Sequence, residues 1–227
     1  MAVRSAFALG LHRDESEEIF QPEERLVRKN LWRTLFILDR FLSACLGRPT
    51  AISEEDCSIS AFGVSRSTNN SPLHICTEAT HLAALGAAVK SCQAIGMTLK
   101  RVYSKRKIST AVGQEIANHL DTWNRELPHS LHWRRLINGP IDFTQGIAIL
   151  HVNLLHCHSV MLLTRPFFLF LLHKAVGAQG SNSKSSRLSH KMENFAQTCV
   201  LSSQHTLVLT QAVLDRKYLP QCNPFVM

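Results

Sequence analysis

The chain has 227 residues, 45% of them hydrophobic, with a formal net charge of +8 and a pI near 9.4. That length fits one large domain or two small ones with an ordinary core, and the basic balance permits an acidic partner or nucleic acid without requiring either. Seven cysteines, with no C-x-x-C pair, argue against a disulfide framework or a zinc site and for free thiols in a reducing compartment.

Few glycines and prolines and little strand-like alternation make this an all-α composition, read here as an irregular bundle of about six helices. The opening "MAVRSAFALGLHRD" has too short an apolar run for a signal peptide. Residues 2–9 read instead as the last turns of a helix closed by Gly10, so the domain, 1–227, is expected to be partial at this end. After the acidic connection "HRDESEEIFQPEE", Pro22 starts a helix over 22–46, with Glu23 and Glu24 in its first turn, where the dipole favours them. Leu31, Leu35, Leu38, Leu42 and Cys45 are expected on its inner face, and Arg25, Lys29 and Arg33 on a charged one.

That helix ends in "LDRFLSACLGRPTAI". Gly47 suits a left-handed cap and Pro49 prevents continuation. Asp39 borders the apolar seam, four residues after Leu35 and three before Leu42, where a carboxylate needs a partner. Arg48, folded back over the last turn, is the expected partner, with Arg40 and Arg165 as rivals and two solvated side chains as the alternative. Asp39 and Arg48 are thus structural candidates.

A long helix follows over 73–104, roughly 45 Å at about 1.5 Å per residue. Its expected inner stripe is Leu73, Cys76, Thr80, Ala84, Ala87, Ser91, Ile95 and Leu99, with Gly86 and Gly96 marking close contacts or a bend. The fourth helix, 108–127, carries Ile108, Val112, Ile116, Leu120, Trp123 and Leu127 inward and stops at Pro128. A fifth, 144–163, is expected to break at Arg165-Pro166. "GAQGSNSKSSRLSHK", 177–191, reads as a flexible Gly/Ser/Lys loop. A sixth helix, 192–214, is expected to bury Phe195, Cys199, Ser203, Thr206 and Val213. The tail "YLPQCNPFVM" has no closing element, and the domain is expected to be partial there too. Residues 143–164 lack charges but hold three histidines, Asn153 and Gln145, so a buried helix is expected rather than a membrane span.

Catalytic signals are poor. No phosphate-binding glycine loop, H-E-x-x-H or G-x-S-x-G occurs, and no catalytic, cofactor-binding or metal-binding residue is assigned. His156 and His158 lie about 200° apart on a helix and cannot share an ion, and His151 and His158 are two turns apart. The run "KRVYSKRK", 100–107, suits a phosphate-contacting patch or a targeting signal, but cations at a helix C-terminus also simply complement the dipole.

The blocks "MAVRSAFALGLHRD" and "RKNLWRTLFILDRFLSACLGRPTAISEEDCSI", with their D-R, G-R-P and acidic "ED" turn, resemble the regulatory middle region of fungal zinc-cluster transcription factors. "LDTWNRELPHSL" and "LHVNLLHCHSVMLLTRPFF" are similar to its later W-x-x-x-L-P and R-P-F stretches. Leu31-Trp32 stands where two tryptophans are common, and Phe36 where tyrosine is frequent.

The resemblance implies an all-α regulatory domain without catalysis, working in the nucleus in RNA polymerase II transcription. Its implied partners are proteins of the transcription machinery or a second copy, with a small-molecule effector. DNA binding and zinc are implied for an N-terminal six-cysteine cluster that these 227 residues do not include. The alternative is a small-molecule- or lipid-binding helical protein with a cavity near 150–172.

Overall fold

In a computed structural model the chain is described over residues 2–14, 19–58, 62, 75–105, 108–138, 141–177 and 187–216. These hold seven α-helices: α1 (Ala2–Ala8), α2 (Pro22–Leu46), α3 (Ile75–Thr98), α4 (Thr110–Glu126), α5 (Arg134–Asn138), α6 (Phe143–Gly177) and α7 (Arg187–Asp215). No strand occurs among the described residues. The chain is all-α, as expected, and divides into two compact units, Met1–Gly96 and Met97–Met227.

In the first unit, α1 closes through Gly10 at φ 69°. The Leu11 N–H reaches back to the Ala6 carbonyl at 3.1 Å, satisfying an end group that would otherwise be orphaned. The Phe7 ring meets the edge of Trp32 on α2 at 5.3 Å. Helix α2 has the expected bounds, with Pro22 in its first turn and Gly47 left-handed at φ 62°.

The inner face of α2 differs from the expected one. Trp32, Arg33, Phe36, Arg40 and Ser43 are buried, while Leu31, Leu38 and Leu42 are 41–49% exposed, Leu35 is half-buried and Cys45 exposed. Arg33, expected on a charged face, is also buried. Two stripes one residue apart are separated by only about 100° on a helix and both satisfy the period. The chosen stripe buries an indole and a phenyl ring, larger apolar bodies than leucine.

On α3, Ala84, Ala87, Ser91 and Ile95 are buried as expected, together with Val89, Cys92 and Ala94. Thr80 and Leu99 are half-buried, whereas Leu73 and the Cys76 side chain lie outside the described residues. The Cys92 thiol lies 3.9 Å from the Ile37 carbonyl, and burial pushes its pKa up to about 12.

In the second unit, one π-helical turn, Leu99–Tyr103, precedes α4. The Ser109 hydroxyl caps α4 by accepting from the Val112 N–H. Ile116, Leu120 and Trp123 are buried, but Ile108 is exposed and Val112 and Leu127 are half-buried. Beyond Pro128 a 3₁₀ turn, His129–Leu131, is held by α6. The buried Asn153 amide donates to the Leu131 carbonyl at 2.9 Å and to its own helix at Ile149.

Helix α6 does not break at Arg165-Pro166 but runs through Pro166 to Gly177. Proline removes the N–H that would bond the carbonyl four residues back, here that of Leu162. The Tyr103 hydroxyl donates to that carbonyl at 2.9 Å, and Arg165 Nη2 donates to the Tyr103 oxygen at 3.2 Å. A distant side chain thus replaces the missing donor.

Helix α6 packs along α7. By length and apolarity α6 and the stretch Thr80–Tyr103 are long enough to cross a bilayer, yet about half of each is buried inside the protein. On α7, Phe195, Leu209 and Val213 are buried, Cys199 and Thr206 half-buried, and Ser203, expected inward, is exposed. Helix covers 187–191 of the stretch expected to be a loop. Residues 178–186 lie outside the described residues.

Candidate functional site

Two arrangements of side chains stand out, one in each unit. In the first unit the Asp39 carboxylate is taken up completely. One oxygen accepts from the Ala51 N–H at 2.8 Å. The other accepts from the Ile52 N–H at 3.1 Å and from Arg40 Nη1 at 2.8 Å. Arg40 Nη1 also donates to the Ile52 carbonyl at 2.9 Å, and Nη2 to Glu54 at 3.2 Å. The guanidinium lies 4.4 Å over the Phe36 ring, and a Cβ at Gly96 would sit 2.8 Å from its Nε. Gly96 therefore marks a close contact, as expected.

The Asp39 and Arg40 side chains are 7% and 3% exposed, so this is a buried ion pair, costly to desolvate and supported by backbone groups. Arg40 Nε, also buried, has no partner among the described residues. The pair clamps "TAISEE" onto α2. Arg48 does not take part: it is exposed, and its backbone N–H bonds the Ser43 carbonyl at the helix end. Arg40, two turns from the cap and facing inward, reaches the Asp39 carboxylate instead. Arg165 is engaged with Tyr103.

In the second unit a cleft of about 390 Å³ opens over α6 between α4 and α7. Leu120, Val160, Leu163 and Phe195 supply its apolar lining, and Asn124, His156 and Ser202 are among its polar groups. His156 stacks on Trp123 at 3.8 Å with the planes 5° apart. Burial and the nearby His205 push its pKa down to about 4, so the ring is neutral at ordinary pH. His205 meets Trp133 edge-on at 4.7 Å and approaches the Cys157 thiol at 3.7 Å.

Among the described residues no three His, Cys, Asp or Glu side chains gather as a metal site, so these side chains do not fit a zinc ion. Of the basic run, Arg101 forms a two-pronged pair with Glu115 at 2.6 and 2.7 Å. Residues 106 and 107 lie outside the described residues. The signals that sequence reasoning missed are the "TAI" backbone as Asp39's partner and the α4 and α7 walls of the cleft.

The D-R pair, Asp39 and Arg40, builds the clamp together with Glu54 of the acidic turn. A family model, the fungal specific transcription factor domain, matches residues 1–125, which include it. The chain belongs to this family. It is 22% identical over 222 residues to a transcriptional regulatory protein of Schizosaccharomyces pombe, an alignment covering 96% of this chain and 26% of that protein. Filamentous growth regulator 27 of Candida albicans is 28% identical over 176 residues, 74% of this chain and 22% of the relative. The acetamidase regulatory protein of Aspergillus fumigatus is 29% identical over 184 residues, 77% and 20% respectively. The chain spans about a quarter or less of the length of these curated relatives. No solved structure matches.

Proposed function

We propose that the chain acts as a non-enzymatic regulatory domain of a zinc-cluster transcription factor in the nucleus, passing signals to protein partners in RNA polymerase II transcription. The supporting observation is the family match over residues 1–125 together with alignments to transcriptional regulators that cover up to 96% of the chain. In this reading sequence-specific DNA contact and zinc belong to a cluster outside these residues, and 1–227 is one regulatory region.

Fusing the chain to an unrelated DNA-binding domain, with that domain's operator upstream of a reporter in a fungal host, tests the proposal. The fusion is expected to raise or lower reporter output relative to the DNA-binding domain alone. Unchanged output from a folded, nuclear fusion would refute it. The chain by itself is expected to bind duplex DNA weakly and without sequence preference. A footprint on a defined sequence at moderate salt would refute the assignment of DNA reading to another domain.

A further inference from the structure

The cleft over α6 holds polar capacity that the fold does not use. Neither the exposed Asn124 amide, the His156 ring nor the half-buried Ser202 hydroxyl has a hydrogen-bond partner among the described residues, and because His156 Nδ1 is shielded, Nε2 is the ring nitrogen left accessible. Each comes from a different helix. Contacts along the unit place them together: Trp123 on His156 and Cys157 near His205 mark one end. Phe167 stacked on Phe195 at 4.5 Å, with Gly113 against both rings, marks the other. By helix order Asn124, His156 and Ser202 fall at the first end and Lys191 at the second.

We propose that this cleft binds a small uncharged molecule with a hydrogen-bonding head and a flat apolar body. Asn124, His156 and Ser202 hold the head, and Leu120, Leu163 and Phe195 carry the body. A carboxamide, a neutral imidazole and a hydroxyl can each donate or accept, which suits an amide, ketone or alcohol. The imidazole stays neutral because burial disfavours its cation. An anionic head would lie one helical turn from the like charge of Asp121 and far from Lys191, with no counter-ion beside it. An ammonium would have only the solvated, exposed Asp121 to face. The volume of 390 Å³ holds roughly 13 water-sized groups at about 30 Å³ each. A site here is independent of the regulatory reading, and its test asks only whether binding occurs.

Indole-3-acetamide, indole-3-acetate and tryptamine share one body of suitable size and differ in head charge. Each is titrated into the full chain while the Trp123 indole and His156 ring resonances are followed. The amide is expected to bind with a Kd of about 1 mM or tighter, and the two charged probes at least about tenfold more weakly. His156→Phe keeps the stacked ring and removes the nitrogens, and should weaken amide binding about tenfold. Ser202→Ala should weaken it several-fold, and Ala117→Trp, which fills the cleft from α4, should abolish it. Circular dichroism melts verify that each variant folds. No amide binding, equal or tighter binding of a charged probe, or binding unaffected by both Ala117→Trp and Ser202→Ala overturns the proposal.

Discussion

The Asp39–Arg40 clamp of the first unit and the His156 cleft of the second remove polar groups from water in opposite ways. In the first, the groups are charged: both oxygens of Asp39 and both terminal nitrogens of Arg40 are bonded, three of those contacts being to the backbone of Ala51 and Ile52. In the second, they are neutral. The His156 ring stacks on Trp123, and its shielded Nδ1 has no hydrogen-bond partner among the described residues. The difference follows from the desolvation cost. An uncompensated buried charge costs several kcal/mol, enough to cancel much of a domain's stability. A neutral group left unpaired costs about 1–3 kcal/mol. The clamp therefore pairs both carboxylate oxygens and both terminal guanidinium nitrogens and leaves only Arg40 Nε without a partner among the described residues, whereas the cleft tolerates open hydrogen-bonding positions.

The clamp gives the largest way to break this comparison. Arg40→Ala strands Asp39, and Asp39→Ala strands Arg40 and two backbone N–H groups. Each should cost about 3–5 kcal/mol. Arg48→Ala should change stability by no more than about 0.5 kcal/mol, because its side chain is exposed. The Asp39→Ala/Arg40→Ala pair should lose less than the sum of its single changes. Gly96→Ala places a Cβ against a guanidinium that cannot swing away, and should cost about 1–3 kcal/mol despite alanine's better helix propensity. Urea melts followed through Trp32 check all five variants. An Arg48→Ala loss equal to that of Arg40→Ala would remove the clamp from the account.

Much of this architecture was legible in the sequence. Pro22 and Gly47 delimit α2, because fixed φ at a first turn and positive φ at a cap are local requirements. That Asp39 needed a partner was also legible, because desolvation cost depends on position along the helix. The partner's identity was not. It depends on how "TAI" folds back, 12 and 13 residues along the chain. The buried stripe of α2 was misplaced for a related reason: periodicity gives a face only to within one adjacent row. The α6 portion of the cleft was within reach, but its walls come from α4 and α7 and require the packing.

The second test sharpens the neutral side of the comparison. The native pKa of His156 is depressed to about 4 from 6.5. Between those values the unfolded chain binds a proton that the native chain does not, so stability rises with pH across this window. The contribution is complete above about pH 6.5 and lost as pH falls to about 4, and is on the order of 3 kcal/mol. His132, His151, His158 and His205 are shifted the same way by burial and add to the slope. Subtracting the pH–stability curve of His156→Phe from that of the parent isolates one residue. A difference curve flat from pH 6.5 to 4 would mean that His156 is not held neutral by the fold.

The smallest effect concerns a polar group that the second unit does satisfy. The Leu162 carbonyl loses its helical donor to Pro166 and gains the Tyr103 hydroxyl. Tyr103→Phe keeps the ring and removes that donor, along with the exposed contact to Arg165, which is worth little. The expected loss is about 1–2 kcal/mol. Pro166→Ala returns a backbone N–H to the helix at the position that Leu162 faces, so the carbonyl no longer depends on Tyr103. In that background Tyr103→Phe should cost clearly less, giving a coupling between residues 63 positions apart in the chain. The four proteins are compared by thermal melts at pH 7, where His156 is neutral. Equal losses in both backgrounds would show that Tyr103 stabilises α6 through its ring alone, and that the helix passes Pro166 without a replacement donor.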